Sequence, residues 1–377
     1  MLIDWLAGPV LSELVTTAVT APGLPKPLPA PFYSISPTEV VGVNVQWEAT
    51  FGDRQVAQAT DPMSPSRRIE SQANQRPQAV AVASRTNFVL DTDLLTFMQS
   101  NIPFLQNRAK QIFMKKAADF KQRTQNLITS MPHAALGYGA IFLDGNGNLL
   151  PNSTGAVQTV NFNLTYGANA ANVAGGVPLT KTSNWPNTTG AANIVGDWSN
   201  TSTDITASLR ALDESFTFTS NYQAVHILYG KSIPSYLFDN TSVQTLLTRQ
   251  PQVNREFWDA NQVPQGFAGY QWHPFYKAYY VDQNGVIQRF VQDNQIIIMP
   301  EVNPMWYEYF ECSLPCPVGI PNAQMSWEDV SAWAPARKGY GSYCHGHLDP
   351  VSLTCIQQWA GLATPKSPIA VWSATVS

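Results

Sequence analysis

The sequence predicts an α+β protein built from one long helix, several short helices and many paired strands. Three observations carry this prediction. Apolar residues recur at helical spacing over residues 102–130. The chain has 28 prolines and 23 glycines, and they divide the rest of it into short apolar runs. Charged residues make up only 13% of the chain, against roughly 25% in an average soluble domain, which excludes a coiled coil or a highly charged disordered tail.

The charge balance and the N-terminus exclude several classes of protein. The net charge is −4, so no positive field covers the whole surface and any contact with nucleic acid must be local. The first twenty residues are apolar, but they contain Asp4 and Glu13 and no Lys or Arg precedes Lys26, so we expect a docking helix rather than a signal peptide. No apolar run approaches the roughly 20 residues of a membrane span, and we expect no membrane partner.

The sequence pattern of the N-terminal quarter predicts an arm followed by a long hairpin. Six prolines in residues 21–37 block helix and sheet and favour an extended arm. Residues 40–47 and 79–89 have strand patterns, and the polar segment 51–78 lies between them. So long a polar connection is unusual within a compact domain, which indicates a hairpin loop that extends away from the core.

The long helix is the strongest element and is unusually basic. Asp91 can cap a short helix before it, and Pro132 is expected to end the long helix itself. Only one acid, Asp119, accompanies its basic residues, which are Arg108, Lys110, Lys115, Lys116, Lys121 and Arg123. The pattern leaves two readings open, a solvated face or a contact with a polyanion.

The remaining elements are short. In order we predict a hairpin over 140–150, loops and short strands over 152–202, a helix over 204–212, a strand over 224–229, a helix over 241–249 that begins at Asn240, a hairpin with strands 276–280 and 286–291 around Asn284-Gly285, a strand over 295–300 and a closing strand over 367–376.

Few residues suggest chemistry, and we predict neither an enzyme nor a cofactor. Glu308 and Glu311 lie among aromatic residues and could indicate a glycoside hydrolase, but in a strand their separation places them on opposite faces. The cysteines are expected to be free thiols of a cytosolic protein. The residue types near the C-terminus suit zinc although their spacing is atypical, so the sequence leaves open whether a metal is bound by Cys312, Cys316, Cys344, His345, His347 or Cys355.

The order of these parts resembles that of tailed-bacteriophage major capsid proteins of the lambda type, the major capsid protein E family, whose fold is HK-97-like. The similar local segments are residues 228–231, 240–243, 276–285 and 299–302. The resemblance implies an N-terminal arm (1–45), an extended loop (46–90), a peripheral domain (91–220) with a spine helix (102–130), an axial domain (221–341) and a C-terminal return to the peripheral domain (342–377).

The resemblance also implies a function and partners. Such a chain is the major capsid protein of a double-stranded DNA phage; it self-assembles in the host cytoplasm into pentamers and hexamers and becomes part of the icosahedral head of the virion. The basic helix would face packaged DNA without sequence specificity. The loop arginines, Arg54, Arg67, Arg68 and Arg76, would contact neighbouring subunits.

Two features differ from some relatives. No lysine occurs between Lys26 and Lys110, so the extended loop cannot donate a lysine to an isopeptide cross-link, and we expect a noncovalent shell with a separate decoration protein. The chain starts at its arm, from which we expect a separate scaffolding protein or none; a portal is a further partner. The alternatives are an encapsulin-like cellular shell protein or, in another class, a secreted glycan-binding or glycan-hydrolysing β-rich protein.

Overall fold

The computed structural model describes eleven segments of the chain. They are residues 23–48, 76–145, 148–150, 154–162, 198–249, 262–281, 285–317, 333–337, 341–348, 351–367 and 370–376. Helices and strands both contribute, which confirms the predicted α+β class. The predicted hairpin tip at 51–75, with Arg54, Arg67 and Arg68, lies outside the described residues.

The N-terminal segment packs on its own subunit. It comprises a short helix α1 (Pro31–Ser34) and strands β1 (Thr38–Val41) and β2 (Asn44–Gln46). The predicted strand over 40–47 is therefore two strands, divided at Gly42, whose φ of 85° is left-handed and favours glycine. Phe32 contacts Trp306 and Tyr307 edge-on, with ring centroids 5.8 and 4.8 Å apart. Part of the predicted arm thus completes the core of its own chain.

The spine helix α3 (Pro103–Tyr138) runs eight residues beyond the predicted end. Pro132 does not end it, although proline lacks the N–H that would bond to the carbonyl four residues back. The turn around it is buried from Thr129 to Gly137, so tertiary packing outweighs the local cost of the proline. The helix ends instead at Gly139, which adopts a left-handed conformation and donates its N–H to the carbonyl of Ala135. The shorter helix α2 (Thr92–Gln99) precedes it, as predicted.

A six-stranded sheet lies against the spine helix. Its strands are β1, β4 (Val82–Leu90), β13 (Tyr307–Pro317), β14 (Trp333–Arg337), β15 (Gly341–Leu348) and β16 (Val351–Pro365). Strand β16 is central, because β4, β13 and β15 all pair with it antiparallel. Phe88 of β4 and Phe113 of the spine helix meet with ring centroids 5.7 Å apart.

A second, four-stranded sheet has the order β17-β12-β8-β9. Its strands are β8 (His226–Tyr229), β9 (Gln271–His273), β12 (Gln295–Met299) and β17 (Trp372–Thr375), and its helices are α4 (Ile205–Ser220), α5 (Ile233–Asp239) and α6 (Thr241–Leu247). Since β17 pairs with β12 while β16 lies in the first sheet, the C-terminal segment contributes to both sheets. The predicted strands over 224–229, 295–300 and 367–376 are confirmed.

Three small β units complete the fold. They are the pair β2 with β3 (Gln78–Val80), the three-stranded sheet of β5 (Ala140–Leu143), β6 (Leu149–Leu150) and β7 (Gln158–Asn161), and the hairpin of β10 (Tyr279–Val281) and β11 (Ile287–Arg289). Both predicted hairpins are confirmed by antiparallel pairing. The β2–β3 pair is the base of the predicted extended loop.

Candidate assembly and nucleic-acid surfaces

The basic residues of the spine helix do not form a single stripe. Arg108 and Lys115 are exposed and, seven positions apart, differ by only about 20° around the helix axis. They lie away from the buried strip that contains Phe113 and Ala117. Lys110 and Lys121 lie close together in angle around the helix axis, along one margin of the buried strip. Arg108 and Lys115 therefore face directly away from the core, while Lys110 and Arg123 are exposed at the margins of the buried strip.

Two other basic side chains interact with their own subunit. The Lys116 ammonium donates to the carbonyl of Val89 at 3.3 Å, which ties the spine helix to β4. The Arg123 guanidinium lies 5.3 Å from the ring centroid of Phe120. Lys116 and Arg123 are therefore both engaged within their own subunit.

Arg76 is the one predicted loop arginine within the described residues. Its guanidinium lies 3.1 Å from the Glu48 carboxylate, and both side chains are mostly exposed. This pair closes the base of the extended loop next to the β2–β3 ladder. An exposed pair of this kind adds little stability by itself, which leaves the arginine accessible.

A buried histidine links three parts of the subunit. His133, in the spine helix, donates from Nδ1 to the carbonyl of Thr129 at 2.7 Å, and its Nε2 accepts from the Tyr33 hydroxyl at 3.0 Å. Its ring stacks on Phe275 and Phe290, with centroids 5.3 and 5.9 Å away. Complete burial lowers the pKa of His133 to about 3. The imidazole is therefore neutral and holds the arm, the spine helix and the β10–β11 region together.

A cavity of about 420 Å³ lies beside this histidine, between the arm and the spine helix. Lys26 and Tyr33 line it from the arm, and the Lys26 ammonium lies 5.3 Å from the Tyr33 ring centroid. Asn126 lines it from the helix and accepts the backbone N–H of Leu24 at 3.3 Å. The proline-rich arm is thus held by a side-chain amide of the helix.

A second histidine group lies at the edge of the four-stranded sheet. His226 Nδ1 and His273 Nε2 are 3.1 Å apart, and His226 Nε2 lies 3.3 Å from a carboxylate oxygen of Glu301. Burial lowers the pKa of His226, and Glu301 partly offsets that effect. Burial and the neighbouring His226 lower the pKa of His273 to about 4. Lone histidines carry no sequence signal for such partners, so neither histidine group could be predicted from the sequence.

The two glutamates that suggested glycan hydrolysis do not form a catalytic pair. Glu308 lies 3.0 Å from the Lys366 ammonium, whereas Glu311 accepts the indole N–H of Trp359 at 2.9 Å. Both lie on β13 at an odd separation, so they occupy opposite faces as predicted. Each carboxylate therefore stabilises the sheet.

The cysteines occupy different places in the six-stranded sheet. Cys312 on β13 is a free, buried thiol, and burial raises its pKa. Cys355 on β16 is disulfide-bonded, so the expectation of free thiols throughout is wrong. Among the described residues no group of three His, Cys, Asp or Glu side chains is arranged to hold a metal ion.

Exposed apolar side chains include two groups of sequence neighbours. Ile102 and Phe104, 56% and 70% exposed, lie at the start of the spine helix. Val281, Val286 and Ile287, each more than half exposed, lie on the β10–β11 hairpin. Contiguous exposed apolar groups are typical of surfaces that another protein covers. Within the described part of the chain, no helix has the length and apolar character needed to cross a membrane.

Sparse charge and exposed apolar patches are typical of a protein whose surface other chains cover. Residues 186–311 match the family model for phage major capsid protein E. This region includes the segments that suggested the resemblance, and the match confirms the prediction of a tailed-phage major capsid protein. Its role is structural and not enzymatic; it assembles with copies of itself into a capsid shell and is located in the virion. No curated protein matches the chain in sequence.

Three solved structures align with most of the chain and are remote from it in sequence. A phage-related protein from Bordetella bronchiseptica RB50 is 8% identical with a TM-score of 0.44, and the alignment covers 98% of this chain and 97% of that one. The mature capsid of bacteriophage PhiM1 is 9% identical with a TM-score of 0.43, covering 95% and 89%. The capsid of a native GTA particle is 10% identical with a TM-score of 0.41, covering 96% and 94%.

Proposed function

We propose that the protein forms the pentamers and hexamers of an icosahedral phage head that encloses double-stranded DNA, and that it assembles in the host cytoplasm. The observation that carries this proposal is the capsid-family match over residues 186–311. That match does not favour a cellular shell or a secreted glycan-binding protein.

The surface chemistry supports assembly from many copies. Burying charge at an interface costs desolvation energy, so a chain with 13% charged residues can form large contacts at low cost. The patch at Ile102 and Phe104 and the β10–β11 hairpin offer apolar area to neighbouring subunits. Arg76, together with Arg54, Arg67 and Arg68, supplies polar contacts from the extended loop in this proposal.

Electron microscopy of the purified full chain tests assembly directly. We expect rings or closed shells at high protein concentration. Dispersed monomers at every concentration would contradict the proposal. Because the loop lacks lysine, denaturing gels of the shells under reducing conditions should show single chains, and a ladder of covalent multimers would contradict a noncovalent shell.

The DNA contact is proposed for the outward side of the spine helix. Arg108 and Lys115 are exposed there, whereas Lys116 and Arg123 interact with their own subunit. The contact is electrostatic, so it falls as salt rises and does not depend on base sequence. The other basic residues of the set, Lys110 and Lys121, contribute from the side of the helix.

A matched pair of variants tests this surface. The double variant Arg108→Ala/Lys115→Ala should bind duplex DNA more weakly and with a salt-dependence slope lower by about 2, since each lost phosphate contact removes about 1. The control Lys116→Ala/Arg123→Ala removes equal charge but should change the slope less. Equal slopes for both variants would overturn the assignment.

Scaffolding, decoration and portal proteins are the partners proposed for this shell. The proposal rests on the capsid role and on the noncovalent character expected of the extended loop. Coexpression of the chain with the neighbouring structural genes of its phage should change the size or stability of the shells. Identical particles with and without those proteins would contradict it.

A further inference from the structure

Two of the four cysteines lie directly opposite each other in the ladder of β15 and β16. The antiparallel register runs from Gly341 opposite Gln358 to Leu348 opposite Val351, and it places Cys344 opposite Cys355. A slip of one residue would move one cysteine to the other face of the sheet. The juxtaposition therefore depends on the observed register.

Directly paired residues of an antiparallel ladder meet the geometric demand of a disulfide. Their Cα atoms are about 4.5–5.5 Å apart, and disulfides span Cα separations of about 4.4–6.8 Å. Cys355 is disulfide-bonded, whereas Cys312 is a free thiol. The backbone of the remaining cysteine, Cys316, pairs with Ala334 of β14. Register and elimination together indicate Cys344 as the partner of Cys355.

We propose that Cys344 and Cys355 form a reversible cross-strand disulfide that locks the β15–β16 hairpin beneath the spine helix after the particle leaves the reducing interior of the cell. The timing rests on the proposed function; the bond itself does not. Cytosolic reductants keep thiols reduced, whereas the exterior is oxidising.

The surroundings of Cys355 allow the chain to fold whether or not the disulfide has formed. The residue is only 1% exposed and packs in a cluster with Phe88, Leu90 and Phe113. A reduced cysteine in such a place behaves as a small apolar side chain, so the core can form with free thiols. Once the bond is closed, the same burial slows attack by external reductants, so reduction of the folded shell requires prolonged exposure to them.

The oxidation balances with a low-molecular-weight disulfide such as oxidised glutathione. One cysteine thiolate attacks that disulfide, which forms a mixed disulfide and releases one reduced glutathione. The second cysteine thiolate then displaces the other glutathione and closes the protein bond. The two protein thiols lose two electrons and two protons in total, and the oxidant is reduced to two thiols.

Closing the bond stabilises the folded chain by restricting the unfolded one. Ten residues lie between the two cysteines, and a loop of that length removes a moderate amount of chain entropy from the unfolded state. The hairpin also supplies one side of the central strand β16, which packs on the spine helix. Oxidised shells should therefore unfold at a higher temperature than reduced shells.

Alkylation followed by mass spectrometry tests the bond. Full-length shells treated with oxidised glutathione, then denatured and alkylated without reductant, should carry label on Cys312 and Cys316 only and yield a peptide that joins Cys344 to Cys355. Prior reduction should expose all four thiols. Free Cys344 and Cys355 in the oxidised sample would overturn the proposal.

Matched variants test the consequence. Reductant should lower the unfolding temperature of wild-type shells and of Cys312→Ser, but it should leave Cys344→Ser/Cys355→Ser unchanged. Should the double variant not fold, Cys344→Ser alone must abolish both the joined peptide and the response.

Shells that assemble with no bond in either condition refute this proposal alone, whereas a bonded chain that never assembles refutes the proposed function alone. Particles collected inside intact cells must carry four reduced thiols, and a bond already closed there would refute the timing.

Discussion

The two histidine groups of the subunit show how the same side chain behaves with and without a charged neighbour. His133 has neutral partners for both ring nitrogens and aromatic rings beside it. His226 lies against His273 and has Glu301 within 3.3 Å. Burial lowers the pKa in both groups. Within the described segments no anion lies against His133, whereas the charge of a proton at His226 is partly offset by Glu301.

This difference assigns different roles to the two places. His133 and the residues that contact it, called the seam below, join the arm, the spine helix and the β10–β11 region. Their contribution to the stability of the fold is lost in acid only when these contacts break. The pair at the edge of the second sheet can accept one proton shared between two rings, and only a second proton would place two cations 3.1 Å apart. We therefore expect the seam to dominate both stability and acid sensitivity.

The largest effect should follow from His133→Ala. The change removes a fully buried ring and leaves the Tyr33 hydroxyl without its acceptor, and we expect a loss of about 3 kcal/mol in the free energy of unfolding. Denaturant unfolding of the free subunit measures it. The control Tyr33→Phe removes only the hydroxyl and should cost about 1 kcal/mol. Equal losses would mean that the stacked ring contributes nothing beyond its hydrogen bond.

The next largest effect should be acid destabilisation of the seam. The pKa of His133 falls from its ordinary value near 6.5 to about 3 in the folded chain, so folding favours the neutral ring. Its contribution is complete above pH ~6.5 and is lost as the pH falls towards 3; by pH ~5 the loss is about 2 kcal/mol. Unfolding of wild type and His133→Leu across this range measures the difference. If the variant is as sensitive to acid as wild type, the acid effect does not come from His133, and His226 with His273 becomes the candidate source.

The sequence predicted the elements whose signals are local. Asn240 was predicted to begin a helix, and its side-chain oxygen accepts the backbone N–H groups of Ser242 and Val243 at 3.0 and 3.3 Å. The Asn-Gly turn and its apolar flanks likewise predicted the β10–β11 hairpin. In both cases residues within a few positions of one another determine the structure.

The sequence did not predict features that depend on distant partners. Tyr33 and His133 are 100 positions apart, so no local pattern signals their contact. The extension of the spine helix past Pro132 has the same origin, because the packing that stabilises it comes from other segments. Strands β13, β15 and β16 were missed because their strand pattern is interrupted by glycine, proline and polar residues that only their neighbours in the sheet accommodate.

The smallest effect should come from Glu301→Gln, and it tests the comparison most sharply. Glu301 is mostly exposed, so its removal should leave the stability near neutral pH almost unchanged. Its charge nevertheless raises the pKa of His226 against the effect of burial, so the variant should lower that pKa further. Histidine titration followed by NMR on the free subunit measures the shift. The control Asp293→Asn removes a carboxylate that pairs with Arg289 instead, and it should leave His226 unchanged. If Glu301→Gln also leaves the pKa of His226 unchanged, the carboxylate does not distinguish the two histidine groups, and the different acid responses must come from burial alone.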